Sequence, residues 1–118
     1  MDAEQMKQWT KAFALRVIRL VEALPRSKTA YVIGGQLLKS GTSVGANYRA
    51  SCRARSRPDC IAKMGIVEEE TDESMYGMEL LVEAGLMPEE RIKNLYEEAD
   101  EILAITVSSI RTARQRKK

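Results

Sequence analysis

Four arginines fall within nine residues near the middle of the chain: Arg49, Arg53, Arg55 and Arg57. Arg49, Arg53 and Arg57 follow one another at intervals of four, which aligns side chains on one side of a helix, although we expect the helix to end before Arg57. A guanidinium group is planar and can donate two hydrogen bonds to one phosphate. The cluster therefore indicates a surface that could grip an RNA backbone, with Tyr48 stacking on an unpaired base.

The charge distribution leaves a second interpretation of these arginines open. Residues 1–58 contain eleven Lys and Arg against three Asp and Glu, a net charge of +8, whereas residues 59–103 contain three against fourteen, a net charge of −11. Such segregation is typical of a polyanion partner or of self-association between unlike surfaces. It is equally typical of arginines that pair with acidic side chains of the neighbouring helix or subunit.

Acidic side chains recur at helical spacing in the sequence that follows, at Glu68, Glu69, Asp72 and Glu73. Two carboxylates on one helical face could bind a metal or act as acid and base. The bundles that hold two iron ions add a histidine three residues after a glutamate, and this chain contains no histidine. General acid-base and triad chemistry also lose their commonest participant. We therefore predict no catalytic residue, no metal site and no cofactor.

The two cysteines, Cys52 and Cys60, lie on either side of a predicted turn. Two cysteines without histidine do not complete a tetrahedral zinc site within one chain. A disulfide could span the hairpin, but a cytosolic domain of 118 residues does not need one. We favour two ordinary, partly buried thiols.

Helical periodicity covers almost the whole chain and predicts one domain, 1–118, of four helices. Apolar residues recur every three or four positions from about Ala3 to Leu24, from about Lys28 to Arg55, from Ser56 to Gly85, and from about Pro88 onward. Ser56 is the expected cap of the third helix, with Asp59 three residues later as in a capping box. Short connections predict an antiparallel up-down-up-down four-helix bundle whose last few residues fray.

Two further patterns concern packing. Glycines at 34, 35, 41 and 45 predict close approach of a neighbouring helix to the second helix, or a kink near Ser40 to Thr42. The third helix has apolar residues off its main seam, at Ile66, Leu80 and Leu81, which predicts a subunit interface and hence an oligomer.

A polar pair is predicted between the second and third helices. Asn47 and Glu68 lie at similar distances from the turn near Arg57, so they should lie at the same height in the hairpin. A carboxylate inside a bundle is costly unless it is hydrogen-bonded or ion-paired. We therefore predict that Glu68 meets Asn47, or an arginine such as Arg16 or Arg19, and fixes the helix register.

Several segments resemble the four-helix-bundle family of 23S rRNA intervening-sequence proteins: Gln36-Leu37, Ser43 to Ala50, Arg53 to Ser56, and Glu68 to Leu81. The resemblance implies a small, all-helical homopentamer. Some members of that family are encoded within insertions in 23S rRNA genes, and a related branch, the accessory proteins of diversity-generating retroelements, binds nucleic acid and a reverse transcriptase. Two segments depart from the family pattern: Ser43-Val44-Gly45 replaces a common Ser-Ile-Pro, and Gly77 replaces a common aromatic.

Together these observations predict a cytoplasmic, non-enzymatic homo-oligomer, a pentamer by resemblance, with RNA or another nucleic acid as its expected partner and no contact with a membrane. Arg49, Arg53, Arg55 and Arg57 would contact phosphates, assisted by Lys117 and Lys118 of the tail. The alternative is a protein-binding scaffold whose arginines pair between subunits with Glu69, Glu70, Asp72 or Glu73.

Overall fold

The computed structural model of the chain describes residues 1–116 and contains four helices in that range: α1 (Ala3–Glu22), α2 (Lys28–Cys52), α3 (Arg57–Glu83) and α4 (Glu89–Gln115). Each helix packs against the next one, and α1 also contacts α4, which closes the bundle. The molecule is a rod of 52 × 21 × 20 Å. The predicted antiparallel four-helix bundle is confirmed.

The helix ends follow local hydrogen bonding. Ser56 caps α3, because its hydroxyl accepts a hydrogen bond from the Asp59 backbone N–H at 3.2 Å, while the Asp59 carboxylate turns towards Lys63 at 3.6 Å. α2 ends at Cys52, three residues earlier than predicted. The backbone N–H groups of Arg53 and Ala54 each reach back three residues, which tightens the last turn and stops the helix. A complete capping box that the sequence analysis missed joins Asp2 and Gln5 at the start of α1.

The core runs along the bundle axis and draws apolar side chains from all four helices. Phe13, Val17, Val44, Met78 and Ile102 are each 0% exposed. Leu81 is also 0% exposed, so its assignment to a second apolar surface was wrong. Six large apolar side chains beyond the N-terminal methionine are exposed on the outside: Leu15, Tyr31, Val32, Leu38, Tyr76 and Ile105.

Glycines bring α1 and α2 into close contact. A Cβ atom added to Gly41 would lie 2.8 Å from Val17 Cγ1, and one added to Gly45 would lie 3.1 Å from Thr10 Oγ1. α2 is unbroken through this region. Close packing, rather than a kink, is therefore the reason for small residues at these positions.

None of the helices within residues 1–116 is both long and apolar enough to cross a bilayer.

Candidate nucleic-acid interface

Three of the four predicted arginines line one open groove at the α2–α3 end of the rod. The groove has a volume of about 510 Å³, and its walls carry the side chains of Arg49, Arg53 and Arg55. Two alanines from α2 complete the α2 side, and Asp59 and Lys63 contribute from α3. The structure thus brings together side chains from a helix, a connection and the next helix.

The local backbone explains how these cations converge. Arg49 occupies the last turn of α2, Arg53 is the residue that caps its end, and Arg55 lies in the connection before Ser56 starts α3. Lys63 enters from the second turn of α3 and was missed by the sequence analysis. Its signal was present, because Asp59 and Lys63 are four residues apart at the start of a helix and form an ion pair of 3.6 Å.

The groove is strongly positive and its arginines are not neutralised within the chain. Four cations and one carboxylate line it, which gives a net charge of +3. Within residues 1–116, ion pairs closer than 4.0 Å join Arg16 to Glu98 and Lys63 to Asp59. None of Arg49, Arg53 or Arg55 takes part in an ion pair there, so pairing with the acidic helix of the same chain does not account for them.

Arg57 does not join the groove. Its guanidinium donates a hydrogen bond of 2.8 Å to the backbone carbonyl of Arg116, the residue that caps the C-terminus of α4. A cation at the negative end of a helix is favourable, so this contact ties α4 to the start of α3. Arg57 has a structural partner. The predicted tail residues Lys117 and Lys118 lie outside the residues that the structure describes.

Tyr48 is not available as a stacking platform. Its ring is half-buried and packs against the hydrophobic core. Burial raises the pKa of Tyr48, and a hydrogen bond with Cys52 and the nearby Cys60 and Asp2 raise it further. Base stacking at this residue was therefore predicted wrongly, because Tyr48 lies on the inner face of α2.

The predicted pair between Asn47 and Glu68 is not formed. The Asn47 side-chain amide donates to the carbonyl of Ser43 at 2.9 Å, within its own helix. Glu68 instead lies in a groove between α3 and α4, beside Val107 and Arg114. The two residues have similar heights, but they lie on different sides of their helices. The alternative partner Arg16 is also excluded, since it pairs with Glu98 at 3.1 Å.

The polar contact that does join α2 to α3 is between two serines. The hydroxyls of Ser40 and Ser74 lie 2.9 Å apart, and both residues are buried. Each hydroxyl also contacts a backbone carbonyl of its own helix, at Leu37 and Glu70 respectively. Each hydroxyl has one hydrogen, so one serine donates to the other, and the second serine donates to the backbone carbonyl of its own helix. Both buried hydroxyls are thereby satisfied, so the pair can fix the register without leaving a charge in the core.

A second, acidic groove lies at the opposite end of α3. It has a volume of about 520 Å³, an apolar floor that includes Met78 and Ile92, and a rim with four glutamates and one lysine. The Tyr96 hydroxyl donates a hydrogen bond of 2.6 Å to the Glu79 carboxylate. That hydrogen bond, together with partial burial and neighbouring carboxylates, raises the pKa of Tyr96 to about 12.

The acidic run in the middle of α3 forms no metal cluster in the part of the chain that the structure covers. Partial burial raises the pKa of Glu70, and Glu73 and Glu69 raise it further, while Lys39 acts in the opposite direction. Mutual repulsion of carboxylates is the expected behaviour of an exposed acidic face.

Comparison with known proteins places this geometry in a family. The family described as "23S rRNA-intervening sequence protein" matches residues 4–108. The crystal structure of a protein of unknown function from the S23 ribosomal protein family of Bacteroides thetaiotaomicron is 32% identical in sequence, with a TM-score of 0.87 over 94% of this chain and 99% of that one. No curated protein matches the chain. The match over nearly the whole length shows that the chain belongs to the 23S rRNA-intervening sequence protein family.

Proposed function

We propose that this protein is a non-enzymatic homo-oligomer that associates with RNA or another nucleic acid through the groove of Arg49, Arg53, Arg55 and Lys63. One observation carries the proposal: three guanidinium groups converge on one groove without a carboxylate partner in residues 1–116. An unneutralised +3 groove attracts a polyanion at long range, and guanidinium forks match phosphate oxygens at contact.

The lining of the groove favours recognition of the backbone over recognition of sequence. Its apolar part consists of Ala46 and Ala50, which offer no ring for base stacking, and its polar part is mostly cationic. Contacts of this kind position a nucleic acid but carry little sequence information. We therefore expect affinity for unstructured RNA with weak dependence on its sequence.

Salt-dependent binding tests the proposal. Each phosphate contact to a single strand contributes roughly −0.7 to the slope of log affinity against log salt, so four cations predict a slope of about −3. The Arg53→Glu/Arg55→Glu variant removes two contacts and should weaken binding of a uridine oligonucleotide by at least roughly 20-fold at about 0.1 M salt. Fluorescence anisotropy measures both quantities, and circular dichroism checks that the variant remains folded.

The chain offers a matched control for the change in charge. Arg26 and Lys28 are exposed at the other end of the bundle, in the connection between α1 and α2 and at the start of α2. Arg26→Glu/Lys28→Glu alters the net charge by the same amount and should leave the affinity nearly unchanged. Equal losses of affinity in the two variants would mean that RNA binding depends on overall charge and not on this groove. Absence of binding by the unmodified protein at low salt would reject the proposal.

Self-association forms the second part of the proposal, and we propose a pentamer. Exposed apolar side chains support it, notably Tyr31 at 83% and Tyr76 at 62% exposed, since burial of large apolar side chains stabilises association. Native mass spectrometry should give five times the 13.3 kDa of one chain. A monomer across the micromolar range would contradict this part without affecting the binding test. We further propose a cytoplasmic protein, consistent with its two free thiols.

A protein-binding scaffold is the second candidate function, and the acidic groove favours it. Glu79, Glu83, Glu89 and Glu97 border an apolar floor, which suits a partner with basic and apolar side chains. In this case Arg53 and Arg55 would pair with acidic side chains of a neighbouring subunit. Charge reversal at these arginines would then disrupt the oligomer, whereas under the first proposal it would weaken RNA binding and leave the oligomer intact.

A further inference from the structure

Two free thiols bracket the connection that carries the groove arginines. Cys52 is the last residue of α2 and is exposed, whereas Cys60 lies in the first turn of α3 and is half-buried. Arg53 and Arg55 lie between them. We propose that Cys52 and Cys60 form a reversible dithiol–disulfide site that clips the base of this hairpin.

The register of the hairpin places the two thiols at nearly the same height. Ser40 lies opposite Ser74, and a Cβ atom on Gly77 would lie 3.5 Å from Leu37 Cβ, so three steps along α2 match three steps along α3. The same register continued to the end of α2 places Cys52 opposite position 62 of α3. That position is two residues from Cys60, or about 3 Å along the helix axis.

The direction of the side chains also brings the thiols together. Tyr48 lies one turn before Cys52 and packs on the core, so the two side chains lie on the same side of α2. Cys60 lies one turn before the buried Met64, so it continues the inner side of α3. Both thiols therefore lie on the inner sides of their helices at the base of the hairpin, and both contribute to the raised pKa of Tyr48.

The difference in exposure gives the two thiols different parts in an exchange with a small disulfide such as oxidised glutathione. The Cys52 thiolate, after losing its proton to solvent, attacks one glutathione sulfur and expels the other glutathione as a thiolate. The Cys60 thiolate then attacks Cys52 Sγ and expels the second glutathione. The two protein thiols lose two electrons and two protons, and the small disulfide becomes two thiols.

Closing this bond acts on the groove, a step that rests on the proposed function. Cys52 lies one turn after Tyr48, with its thiol exposed at the end of α2, whereas the next residue, Arg53, caps the helix and lines the groove. Drawing Cys52 towards Cys60 pulls the end of α2 to the core side and carries Arg53 away from Lys63. We expect the oxidised protein to lose one phosphate contact, which corresponds to roughly fivefold weaker binding at about 0.1 M salt.

Intact-mass measurement tests the site without reference to RNA. Reduced, folded protein is incubated with oxidised glutathione, the free thiols are alkylated, and the mass is recorded before and after dithiothreitol. We expect the mass of a single chain, without a covalent partner, to be lower by two hydrogens and to show no alkylated cysteine. Dithiothreitol should return this species to the dithiol. Cys60→Ser should retain one glutathione on Cys52, since the resolving thiol is absent, whereas Cys52→Ser lacks the exposed thiol that attacks first and should take up glutathione more slowly. A stable glutathione adduct, a covalent dimer or two alkylated thiols in the unmodified protein would overturn the proposal.

Two further measurements test the effect on the loop. Trypsin can cleave after Arg53 and Arg55 but not after Arg57, which precedes Pro58. Oxidation should slow cleavage at both sites, and unchanged cleavage would overturn the coupling to the loop. Oxidised protein should bind the uridine oligonucleotide roughly fivefold more weakly than reduced protein, while a Cys52→Ser/Cys60→Ser variant should not respond to the oxidant. If reduced protein binds no RNA, the proposed function fails, and the mass and trypsin results still decide on the thiol site.

Discussion

The two sides of α2 differ in whether other residues of the same chain pack against them or pair with them. On the inner side, glycines let α1 approach so closely that a Cβ atom on Gly41 would lie within 3.1 Å of three Val17 atoms. On the outer side, Arg49 and the capping residue Arg53 face an open groove and take no part in ion pairs within residues 1–116. One helix thus has an inner side that packs closely against its own chain and an outer side whose arginines have no ion-pair partner within residues 1–116. Stability and binding should therefore respond to different substitutions on the same helix.

Adding a methyl group on the inner side should have the largest effect on stability. Gly41→Ala places a Cβ atom 2.8 Å from Val17 Cγ1, and Val17 is stiff and 0% exposed. Overpacking of this kind costs roughly 1–3 kcal/mol, enough to outweigh the higher helix propensity of alanine. We expect the free energy of unfolding to fall by about 2 kcal/mol in urea denaturation.

The same helix contains a control for this substitution. A Cβ atom added to Gly35 meets no atom within 4 Å. Gly35→Ala should therefore show the propensity gain alone and stabilise the protein by up to about 1 kcal/mol. Destabilisation by both substitutions would mean that subunit contacts, rather than α1, limit the space on α2.

Substitution of Arg55 should affect nucleic-acid binding alone, whereas substitution of Arg57 should affect mainly stability. Arg55 lines the groove, whereas Arg57 donates to the Arg116 carbonyl at 2.8 Å. Arg55→Ala should weaken binding of a uridine oligonucleotide roughly fivefold at about 0.1 M salt and leave stability unchanged. Arg57→Ala should lower the free energy of unfolding by about 0.5–1 kcal/mol with little effect on affinity. Anisotropy and denaturation of both variants measure these effects. A loss of affinity for Arg57→Ala larger than that for Arg55→Ala would mean that Arg57 contributes to nucleic-acid binding.

The inner side of α2 also contains the serine contact, for which a smaller effect is expected. Ser74→Ala removes the hydroxyl that lies 2.9 Å from Ser40, but Ser40 still donates to the Leu37 carbonyl at 3.2 Å. We expect a loss of about 0.5–1 kcal/mol in urea denaturation. Ser43→Ala is the control, since the Ser43 hydroxyl bonds only to the Lys39 carbonyl of its own helix among residues 1–116. Equal losses would exclude a specific contribution of the contact between helices.

The same contrast explains what could be predicted from the sequence. Periodicity and capping residues are local, so the four helices, their order and the Ser56 cap were predicted correctly. Counting residues from the turn also gave Asn47 and Glu68 the right relative height. It could not give their direction around each helix, which depends on where the other helices lie, and Glu68 faces α4 rather than α2.

The candidate site shows the same limit. The arginine spacing identified the surface, because residues four apart share a side of a helix whatever surrounds them. Lys63 joins the groove only through the packing of α3 on α2, and Arg57 leaves it only because the C-terminus of α4 lies nearby. Both outcomes depend on contacts between residues distant in sequence.

The contact between Tyr96 and Glu79 is intermediate between the two kinds of surface seen on α2. Glu79 is an exposed charge, like the groove arginines, but it has a hydrogen-bond partner within its own chain. The pKa of Tyr96 is raised to about 12, mainly because its hydroxyl donates to the Glu79 carboxylate. Tyrosine in the unfolded chain has a pKa of about 10, so this contact favours the folded state below that pH, and its contribution is lost as pH rises from 10 to 12. Glu79→Gln should lower the pKa of Tyr96 towards 10, measured by tyrosinate absorbance, with Tyr96→Phe identifying its transition. An unchanged titration in Glu79→Gln would assign the raised pKa of Tyr96 to burial instead of to the hydrogen bond. The Glu79 carboxylate would then be an exposed charge without a stabilising partner, as the groove arginines are.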